Sequence, residues 1–226
     1  MSDTASATDT SRAPKLTAAA IHGAGLMLGL VYLAGGLDGL LGSYAPAASP
    51  GRRWLLAAAG IIYFVRFLVT QFVMVKREFP WSEAWAVGPW AALLQAGLIG
   101  IGGQASAPLG WLAALAVALY LVGSYLNTGS EWQRREWKKD PSHRGKLYTE
   151  GLFSRSMHVN YLGDCLLFTG FAMLTHSWWA AIFPVLMTAS FIWVHIPRLD
   201  AHLADHYGEQ YDAYAARTKK LVPYVY

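Results

Sequence analysis

Long apolar segments alternate with short polar ones along most of this chain. A segment of about 20 apolar residues is long enough to cross a bilayer as a helix. Six segments approach or exceed this length, and they cover residues 16–41, 53–75, 85–103, 108–127, 160–175 and 178–195. A tight turn at His176–Ser177 joins the last two. The pattern predicts an all-α, polytopic membrane protein with about six transmembrane helices.

The polar segments divide the chain into parts. Residues 1–15 are rich in Ser, Thr, Ala and Asp, lack the layout of a cleaved signal peptide, and are predicted to form a disordered tail. The remainder, 16–226, is predicted to be a single integral-membrane domain. Four spans fill residues 16–127, and a strongly polar stretch opens a second half at 128–226. Closely spaced glycines from Gly23 to Gly39 would let helix backbones approach one another.

Composition strengthens the membrane interpretation. The 226 residues are 54% hydrophobic and only 14% charged, whereas about a quarter of an ordinary soluble domain is charged. Cys165 is the only cysteine, which excludes an internal disulfide and a cysteine-based zinc site, and we assign no residue to a metal. Small apolar packing is the expected role of Cys165, with a reactive thiol as the alternative.

Basic residues are distributed unevenly between the two sides of the predicted membrane. An even number of spans puts both termini, the loop at 76–84 and the stretch at 128–158 on one side. That side holds fifteen of the eighteen Lys and Arg residues: Arg12, Lys15, Lys76, Arg77, Arg134, Arg135, Lys138, Lys139, Arg144, Lys146, Arg155, Arg198, Arg217, Lys219 and Lys220. The other side holds Arg52 and Arg53, and Arg66 lies within the second span. The bias predicts cytoplasmic termini.

The same bias explains the net charge of +4 through membrane topology and anionic headgroups. No nucleic-acid motif competes with this interpretation. The glycine-rich stretch at 100–104 ends a span and does not follow a strand, so it is not a dinucleotide-binding fingerprint.

The stretch SRSMHVNYLGD, residues 154–164, places several polar groups at the start of an apolar helix. Spacings of three and four residues put His158, Tyr161 and Asp164 or Cys165 on one face. Asp164 would lie one turn inside the membrane, where an ionisable group is costly and indicates a functional site. The alternative is a purely structural ion pair with Arg155 or Arg198. The helix N-terminus would also favour an anion such as phosphate.

Two other features leave alternatives open. Tyr207, Tyr211 and Tyr214 recur at helical spacing in the tail, which fits either an interfacial aromatic belt or a surface on which a cofactor ring stacks. Arg66 needs either an acidic partner or a wet cavity. The candidate partners are Glu78, Glu83, Asp164 and Asp200.

Three ordered motifs over residues 127–226 resemble the C-terminal half of integral-membrane sterol reductases and the wider steroid 5-alpha-reductase-like group. The superfamily also includes isoprenylcysteine carboxyl methyltransferases. The resemblance is carried by three sets of residues: Gln133, Arg134, Trp137, Lys138, Asp140 and Pro141; Gly151, His158, Asn160, Tyr161, Gly163 and Asp164; and Arg198, Asp200, Tyr207, Gly208, Tyr211, Tyr214, Pro223, Tyr224 and Tyr226.

This resemblance implies hydride transfer from NADPH to a carbon–carbon double bond of a membrane lipid, with a cytoplasmic cofactor pocket in residues 128–226. The implied catalytic residues are Tyr161 as a hydrogen-bond donor, Asp164 as an acid and His158 as a proton relay. The implied cofactor-binding residues are Gln133, Arg134, Lys138, Arg155, His158, Asn160, Tyr161, Arg198, Asp200, Tyr211 and Tyr214. The implied partners are a lipid substrate and the bilayer.

The chain also departs from the family pattern. Met157 stands where the family has an arginine, and Leu199 stands where it has an acid. Two alternatives therefore stay open: a methyltransferase that uses S-adenosylmethionine, and a non-catalytic lipid-binding protein. The composition favours a bacterial inner membrane, with the endoplasmic reticulum as the alternative, and the oligomeric state does not follow from the sequence.

Overall fold

A computed structural model describes residues 11–226, and the regular structure of this range is entirely helical. The main helices are α1 (Arg12–Leu33), α2 (Asp38–Leu41), α3 (Pro50–Val69), α4 (Trp81–Gly103), α5 (Trp111–Trp137), α6 (Val159–Leu174), α7 (Ile182–Ser190), α8 (Ile196–Tyr207) and α9 (Glu209–Ala215). A π-helical turn, Thr70–Met74, extends α3. A 3₁₀ turn, Trp178–Ala181, precedes α7, and a second π-helical turn, Phe191–His195, joins α7 to α8. The all-α prediction is confirmed.

Five helical stretches in the described range are long and apolar enough to cross a membrane. They are Arg12–Leu33, Pro50–Met74, Trp81–Gly103, Trp111–Trp137 and Trp178–Tyr207. The shorter apolar helix α6 has 16 residues, so it rises about 24 Å, somewhat less than the ~30 Å hydrocarbon core. With α6 they make the six apolar helices that the pattern predicts.

The first helix lies earlier in the chain than predicted. It begins at Arg12 and ends at Leu33, whereas the apolar pattern indicated 16–41. Residues 1–10 of the predicted disordered tail lie outside the described range, and the prediction is wrong for Arg12–Lys15. Lys15 Nζ holds this first turn by donating to the carbonyl of Val75 at 2.9 Å. The helix stops because Gly35 adopts a φ of +82°, which a helix does not allow.

The fourth apolar helix continues well beyond its predicted end. The sequence indicated a boundary at residue 127, but α5 runs to Trp137. Glu, Gln and Arg are good helix formers in water, so the helix has no reason to end where the apolar residues do. The last ten residues of α5 therefore stand on the end of the bundle that also carries α8, α9 and the loops at 75–80 and 138–158, which we call the basic end.

Helices α5 and α6 pack with their backbones in direct contact. A Cβ added at Gly163 would lie within 2.5 Å of the Asn127 amide nitrogen. A Cβ at Gly170 would lie 2.5 Å from the carbonyl oxygen of Ala116. Gly123 faces Gly163 and Leu167 in the same way. Only glycine permits this approach, which fixes how far α6 can slide or rotate against α5.

Glycines also bring α1 close to α4, as the sequence indicated. A Cβ added at Gly25 would lie 2.8 Å from the Ala92 Cα, and one at Gly29 would lie 2.9 Å from Ile99 Cδ1. Gly35 and Gly36 take no part in this packing because they lie beyond the end of α1. The expectation of close backbone approach is therefore correct for only part of the glycine run.

The two arginines at the opposite end of the bundle are structural. Arg52 is buried, and its guanidinium donates to the carbonyl oxygens of Leu174 at 2.5 Å and Ala107 at 3.1 Å. Arg53 donates to the carbonyl oxygen of Leu33, the last residue of α1, at 3.1 Å. Cations are favourable at helix C-termini, where carbonyls lack intrahelical partners. These two charges thus close the ends of α6 and α1.

We expect Gly163→Ala to destabilise the protein strongly, because its methyl group meets α5 backbone atoms that cannot move aside. Overpacking of this kind typically costs ~1–3 kcal/mol. Gly100→Ala in α4 is the matched control, since a Cβ there meets no atom within 4 Å, and alanine should be neutral or slightly stabilising. Thermal unfolding in detergent, followed by tryptophan fluorescence, measures both. Equal melting temperatures would contradict the close contact.

Candidate functional site

A cavity of about 1340 Å³ lies between α3, α4, α5, α6 and α7 and reaches the basic end of the bundle. Ligand pockets for one small molecule are usually about 300–1,000 Å³. The cavity is therefore large enough for two ligands at once. Its lining changes from apolar side chains on α4 and α7 to polar and basic ones on α3 and α5.

Arg66 organises the polar wall of this cavity. Its Nε donates to Thr128 Oγ1 at 2.8 Å, and its Nη2 donates to Asn127 Oδ1 at 2.5 Å. The same Nη2 lies 3.7 Å from Asp164 Oδ1. A single buried guanidinium thus connects α3 with both α5 and α6. Arg66 therefore has an acidic partner, Asp164, and also lines a cavity. Both of the alternatives that the sequence left open for Arg66 apply.

The ion pair of Asp164 is one of the pairings that the sequence left open, since Asp164 was among the candidate partners of Arg66. Its partner is Arg66, whereas Arg155 and Arg198 were the other candidates. The other acidic residues considered for Arg66 are engaged elsewhere or lie apart from it: Glu83 pairs with Arg77 at 2.7 Å. The Asp164 side chain keeps 25% of its surface exposed, and it lines the cavity. Asp164 can therefore meet a bound molecule while Arg66 stabilises its charge.

A second set of hydrogen bonds extends the polar wall toward the basic end. Asn160 Nδ2 donates to Glu131 Oε1 at 3.1 Å, and the Asn160 carbonyl accepts from Asn127 Nδ2 at 3.1 Å. Glu131 Oε2 also accepts from Arg134 Nη2 at 2.6 Å. Asn160 is thereby held by two residues of α5, and Glu131 joins it to a cation at the mouth of the cavity.

Tyr161 stands on the wall formed by α6 and the π-helical turn after α7. Its ring stacks on Phe191, with centroids 4.5 Å apart, and meets His195 edge-on at 6.5 Å. His158 stacks against Tyr161 at 5.6 Å but does not line the cavity. The predicted pair Tyr161 and Asp164 therefore does share one cavity, with His158 behind it.

His158 belongs to a charged chain outside the cavity. Its Nε2 lies 2.9 Å from Asp200 Oδ1, and Lys220 Nζ lies 2.9 Å from Asp200 Oδ2. The hydrogen bond that Lys220 donates to the Asp200 carboxylate raises the pKa of Lys220. Backbone bonds from Met157 and His158 to the carbonyls of Lys219 and Lys220 continue the contact. This chain fastens the start of α6 to α8 and to the C-terminal segment.

Basic side chains surround the mouth of the cavity: Lys76, Arg77, Arg134, Arg135, Lys138 and Lys139. Several of them pair with acidic neighbours, as Lys139 does with Glu136 at 2.7 Å. Lys76 and Lys138 form no ion pair with any residue of the described range. Desolvation, followed by the charge of Arg134, lowers the pKa of Lys138. An anion bound at this mouth would counteract both effects.

Besides His158 and Asp200, three more predicted cofactor-binding residues lie away from the cavity lining. Gln133 Oε1 accepts from the Leu152 amide at 3.0 Å and so holds the turn at Gly151 against α5. Arg155 donates to the Tyr224 hydroxyl at 3.2 Å on the surface. Arg198 is exposed in the first turn of α8. The structure brings none of the three to the cavity wall.

Two tyrosines of the tail, Tyr211 and Tyr214, face inward. Tyr211 and Tyr214 form a buried cluster with Met157, and the Tyr214 hydroxyl donates to the Phe153 carbonyl at 2.6 Å. Burial raises the pKa of Tyr211 to about 12. These two side chains therefore form neither an aromatic belt at the membrane surface nor a stacking surface in the cavity. Met157 fills an apolar cluster, so the departure from the family arginine does not remove a charge from the cavity wall.

The cavity also contains residues that the sequence interpretation missed. Asn127, Thr128 and Glu131 carry the polar wall, and His195 and Gln71 line other parts of it. One sequence signal was present. If the helix continues past residue 127, spacings of four, three and four residues place four polar side chains on one face: Asn127, Glu131, Arg134 and Lys138. The two π-helical turns, which both line the cavity, have no clear sequence signal, although such turns are frequent at functional sites.

Comparison with known proteins places this cavity in a wider context. The family model described as "Protein of unknown function (DUF1295)" matches residues 90–218. That range contains Arg134, Lys138, Asn160, Tyr161 and Asp164, the five predicted site residues that line the cavity. It does not contain Arg66.

Curated relatives match between half and two thirds of the chain. The chain is 30% identical to the "Delta(14)-sterol reductase ERG24" of Candida albicans over 155 residues, which cover 63% of this chain and 34% of that protein. It is 29% identical to the sterol reductase of the same name from Schizosaccharomyces pombe, over 52% of this chain and 32% of that protein. It is 25% identical to the human "3-oxo-5-alpha-steroid 4-dehydrogenase 2", over 53% of this chain and 46% of that protein. The chain thus spans about a third to under a half of the length of these relatives.

We expect Arg66→Met to destabilise the protein by about 3 kcal/mol, because it leaves the Asp164 carboxylate without its cation in the bundle. The double variant with Asp164→Asn should recover part of this loss, since the uncompensated charge is then gone. Thermal unfolding of the two single variants and the double variant measures the coupling. Strictly additive effects would contradict the ion pair.

Proposed function

We propose, from the premise that this chain belongs to the DUF1295 family, that it is a membrane reductase acting with NADPH on a carbon–carbon double bond of a lipid. One observation carries the proposal: a single cavity joins a basic mouth, a polar wall with Tyr161 and Asp164, and an apolar side within the membrane. The similarity to sterol and steroid reductases named above supports it. We place the basic end in the cytoplasm, as the distribution of Lys and Arg indicates.

The residues of the mouth fit a phosphate-bearing cofactor. Lys76 and Lys138 offer ammonium groups without acidic partners in the described range, and Arg134 and Arg135 present guanidinium groups beside them. Arginine suits phosphate because its planar donors can bind two oxygens at once. Desolvation of Lys138 already disfavours its bare charge, so a bound phosphate would be stabilised there. Asn160 is positioned deeper, where its amide can orient a polar ring substituent.

A reduced nicotinamide, when bound, supplies a hydride to one carbon of the double bond. The protein must then deliver a proton to the other end of the reacting system and hold the acceptor in line. Tyr161 and Asp164 are the groups on the cavity wall that can carry this proton. The stack on Phe191 fixes the Tyr161 ring, and Arg66 fixes the Asp164 carboxylate. The cavity walls exclude bulk water from the deeper part.

The environment of the two groups suggests which double bond is reduced. Arg66 already holds the Asp164 carboxylate at 3.7 Å, so we assign the donor role at a bound acceptor to Tyr161. A double bond conjugated to a carbonyl needs only a hydrogen-bond donor at its oxygen while the hydride adds. The Tyr161 hydroxyl can serve as that donor. We therefore infer an enone-type acceptor, with Tyr161 as the donor to its oxygen and Asp164 beside it on the polar wall of the cavity.

We expect the purified protein to bind NADPH, and Lys138→Gln to weaken that binding about tenfold, or ~1.4 kcal/mol. Lys146→Gln is the matched control, because Lys146 is exposed and does not line the cavity. Calorimetric titration with NADPH, NADH and S-adenosylmethionine measures binding to the unaltered protein and to both variants. Binding of S-adenosylmethionine alone would overturn the reductase in favour of a methyltransferase. Binding of none would favour a non-catalytic lipid-binding protein.

We expect Tyr161→Phe to keep NADPH binding and the stack on Phe191 while lowering turnover about 10²- to 10⁴-fold, the usual contribution of a proton donor. Tyr125→Phe is the control, since Tyr125 is exposed and lies outside the cavity lining. A steroid enone and a sterol diene are assayed side by side with NADPH consumption as the readout. Reduction of the diene alone, or unchanged turnover in Tyr161→Phe, would contradict the assignment of Tyr161.

A further inference from the structure

A histidine that the sequence interpretation did not consider lines the cavity. Among the cavity-lining residues of the described range, His195 is the one histidine, and its side chain is exposed. It is the last residue of the π-helical turn Phe191–His195 and directly precedes α8 at the basic end. His195 is therefore in contact with water and with the cavity at the same time.

His158, the relay that the family resemblance implied, has neither contact. Its side chain is only 1% exposed, and it does not line the cavity. Its Nε2 is engaged by Asp200 Oδ1 at 2.9 Å. The His158 ring stacks on Tyr161 at 5.6 Å with an angle of 11° between the planes. His158 thus supports the Tyr161 ring from behind and is closed off from water.

His195 meets the same tyrosine from the side of the cavity. The ring centroids of His195 and Tyr161 are 6.5 Å apart, with an angle of 64° between the planes. His195 also packs edge-on against Phe191 at 5.8 Å, and Phe191 is the ring on which Tyr161 stacks. The π-helical turn thus brings two of its own side chains to Tyr161, and such turns are frequent at functional sites.

The polar atoms of this pair are not committed to other protein groups. Within the described range, neither the Tyr161 hydroxyl nor the His195 ring nitrogens form a hydrogen bond or an ion pair, and none of these atoms is a buried group without a partner. They remain available to water and to a bound molecule. At the observed ring spacing, one water molecule can connect the imidazole to the phenol hydroxyl.

The reaction proposed above consumes one proton in every turnover. When a hydride adds to one carbon of an enone, negative charge develops on the carbonyl oxygen, and the Tyr161 hydroxyl gives its proton to that oxygen. The phenolate that remains must regain a proton before the next turnover. Histidine suits this task because an imidazole both takes up and releases a proton near neutral pH.

We infer that His195 is the proton relay of this site, and that it passes protons from water at the basic mouth to the Tyr161 oxygen. The protonated imidazole gives an N–H proton to the phenolate, is left neutral, and takes its next proton from water. The enol product becomes the ketone when its proton moves to carbon, so the double bond gains one hydride and one proton. His195 acts through Tyr161, so the inference rests on the proposed function in taking Tyr161 as the donor.

Chemical rescue tests this relay in the full-length protein. We expect His195→Ala to keep NADPH binding and the KM for a steroid enone while kcat falls about 10²-fold. Added imidazole should enter the exposed site and restore a large part of the lost turnover. His202→Ala is the matched control, because His202 is an exposed histidine of α8 that does not line the cavity. Its turnover should be unchanged, with and without imidazole.

A double variant shows whether His195 acts through Tyr161. Adding His195→Ala to Tyr161→Phe should lower turnover no further than Tyr161→Phe alone, and imidazole should rescue neither protein, because the group that receives the proton is gone. Fully additive losses would contradict a relay through this tyrosine.

Fluorotyrosine at residue 161 gives a readout that needs no turnover. Its fluorine resonance should shift between about pH 5 and 8 in the protein that carries His195, and His195→Ala should remove this shift. The other charged and ionisable groups around the pair are the same in both proteins: Arg66, Lys76, Glu131, Arg134, Lys138, His158, Asp164 and Arg198. The difference between the two titrations therefore reports His195.

The outcomes separate this inference from the proposed function. Unchanged turnover in His195→Ala, or a loss that imidazole does not rescue, would overturn the relay. So would a fluorine shift that persists in His195→Ala. An unaltered protein that reduces no enone would contradict the proposed function, and the fluorine titration would then decide alone whether His195 and Tyr161 are coupled.

Discussion

The close backbone contact between α5 and α6 is the constraint on which the site depends. Gly123, Gly163 and Gly170 let the two helices touch along their length, and this fixes the rotation of α6. Asn160, Tyr161 and Asp164 surround Gly163 in the chain, so the same contact sets where they point. The backbone of Asn127 packs against Gly163. The Asn127 side chain donates to the Asn160 carbonyl and accepts from Arg66. Packing and polar placement therefore cannot change independently here.

Polar groups within the bundle are concentrated where they can satisfy one another. Arg66 is held by Thr128, Asn127 and Asp164, and His22 is bonded to Gln95 on the other side of α3. Each such group would be expensive alone in an apolar interior. Because Arg66 and its partners cluster along one wall, the α4 and α7 side of the cavity stays largely apolar. The cavity consequently has two chemically different sides, which suits a charged cofactor and an apolar lipid.

The outer segments hold this arrangement without entering it. The chain of His158, Asp200 and Lys220 fastens the start of α6 to α8 and to the C-terminal segment. Met157, Tyr211 and Tyr214 pack beneath them as a small apolar cluster. Gln133 secures the turn at Gly151 to α5. These residues belong to the motifs that carry the family resemblance, and their contacts give them a structural reason to be there in addition to any role at a ligand.

The sequence by itself determined the helical class, the six apolar helices, the uneven charge and five of the residues on the cavity wall. Apolar period and charge are local properties, so they can be read along the chain. Tertiary structure decided the rest. Arg66 meets Asp164 because α3 packs beside α5 and α6, and Tyr211 and Tyr214 turn inward because the tail folds onto Met157. The partners in each case are far apart in sequence, and only packing brings them together.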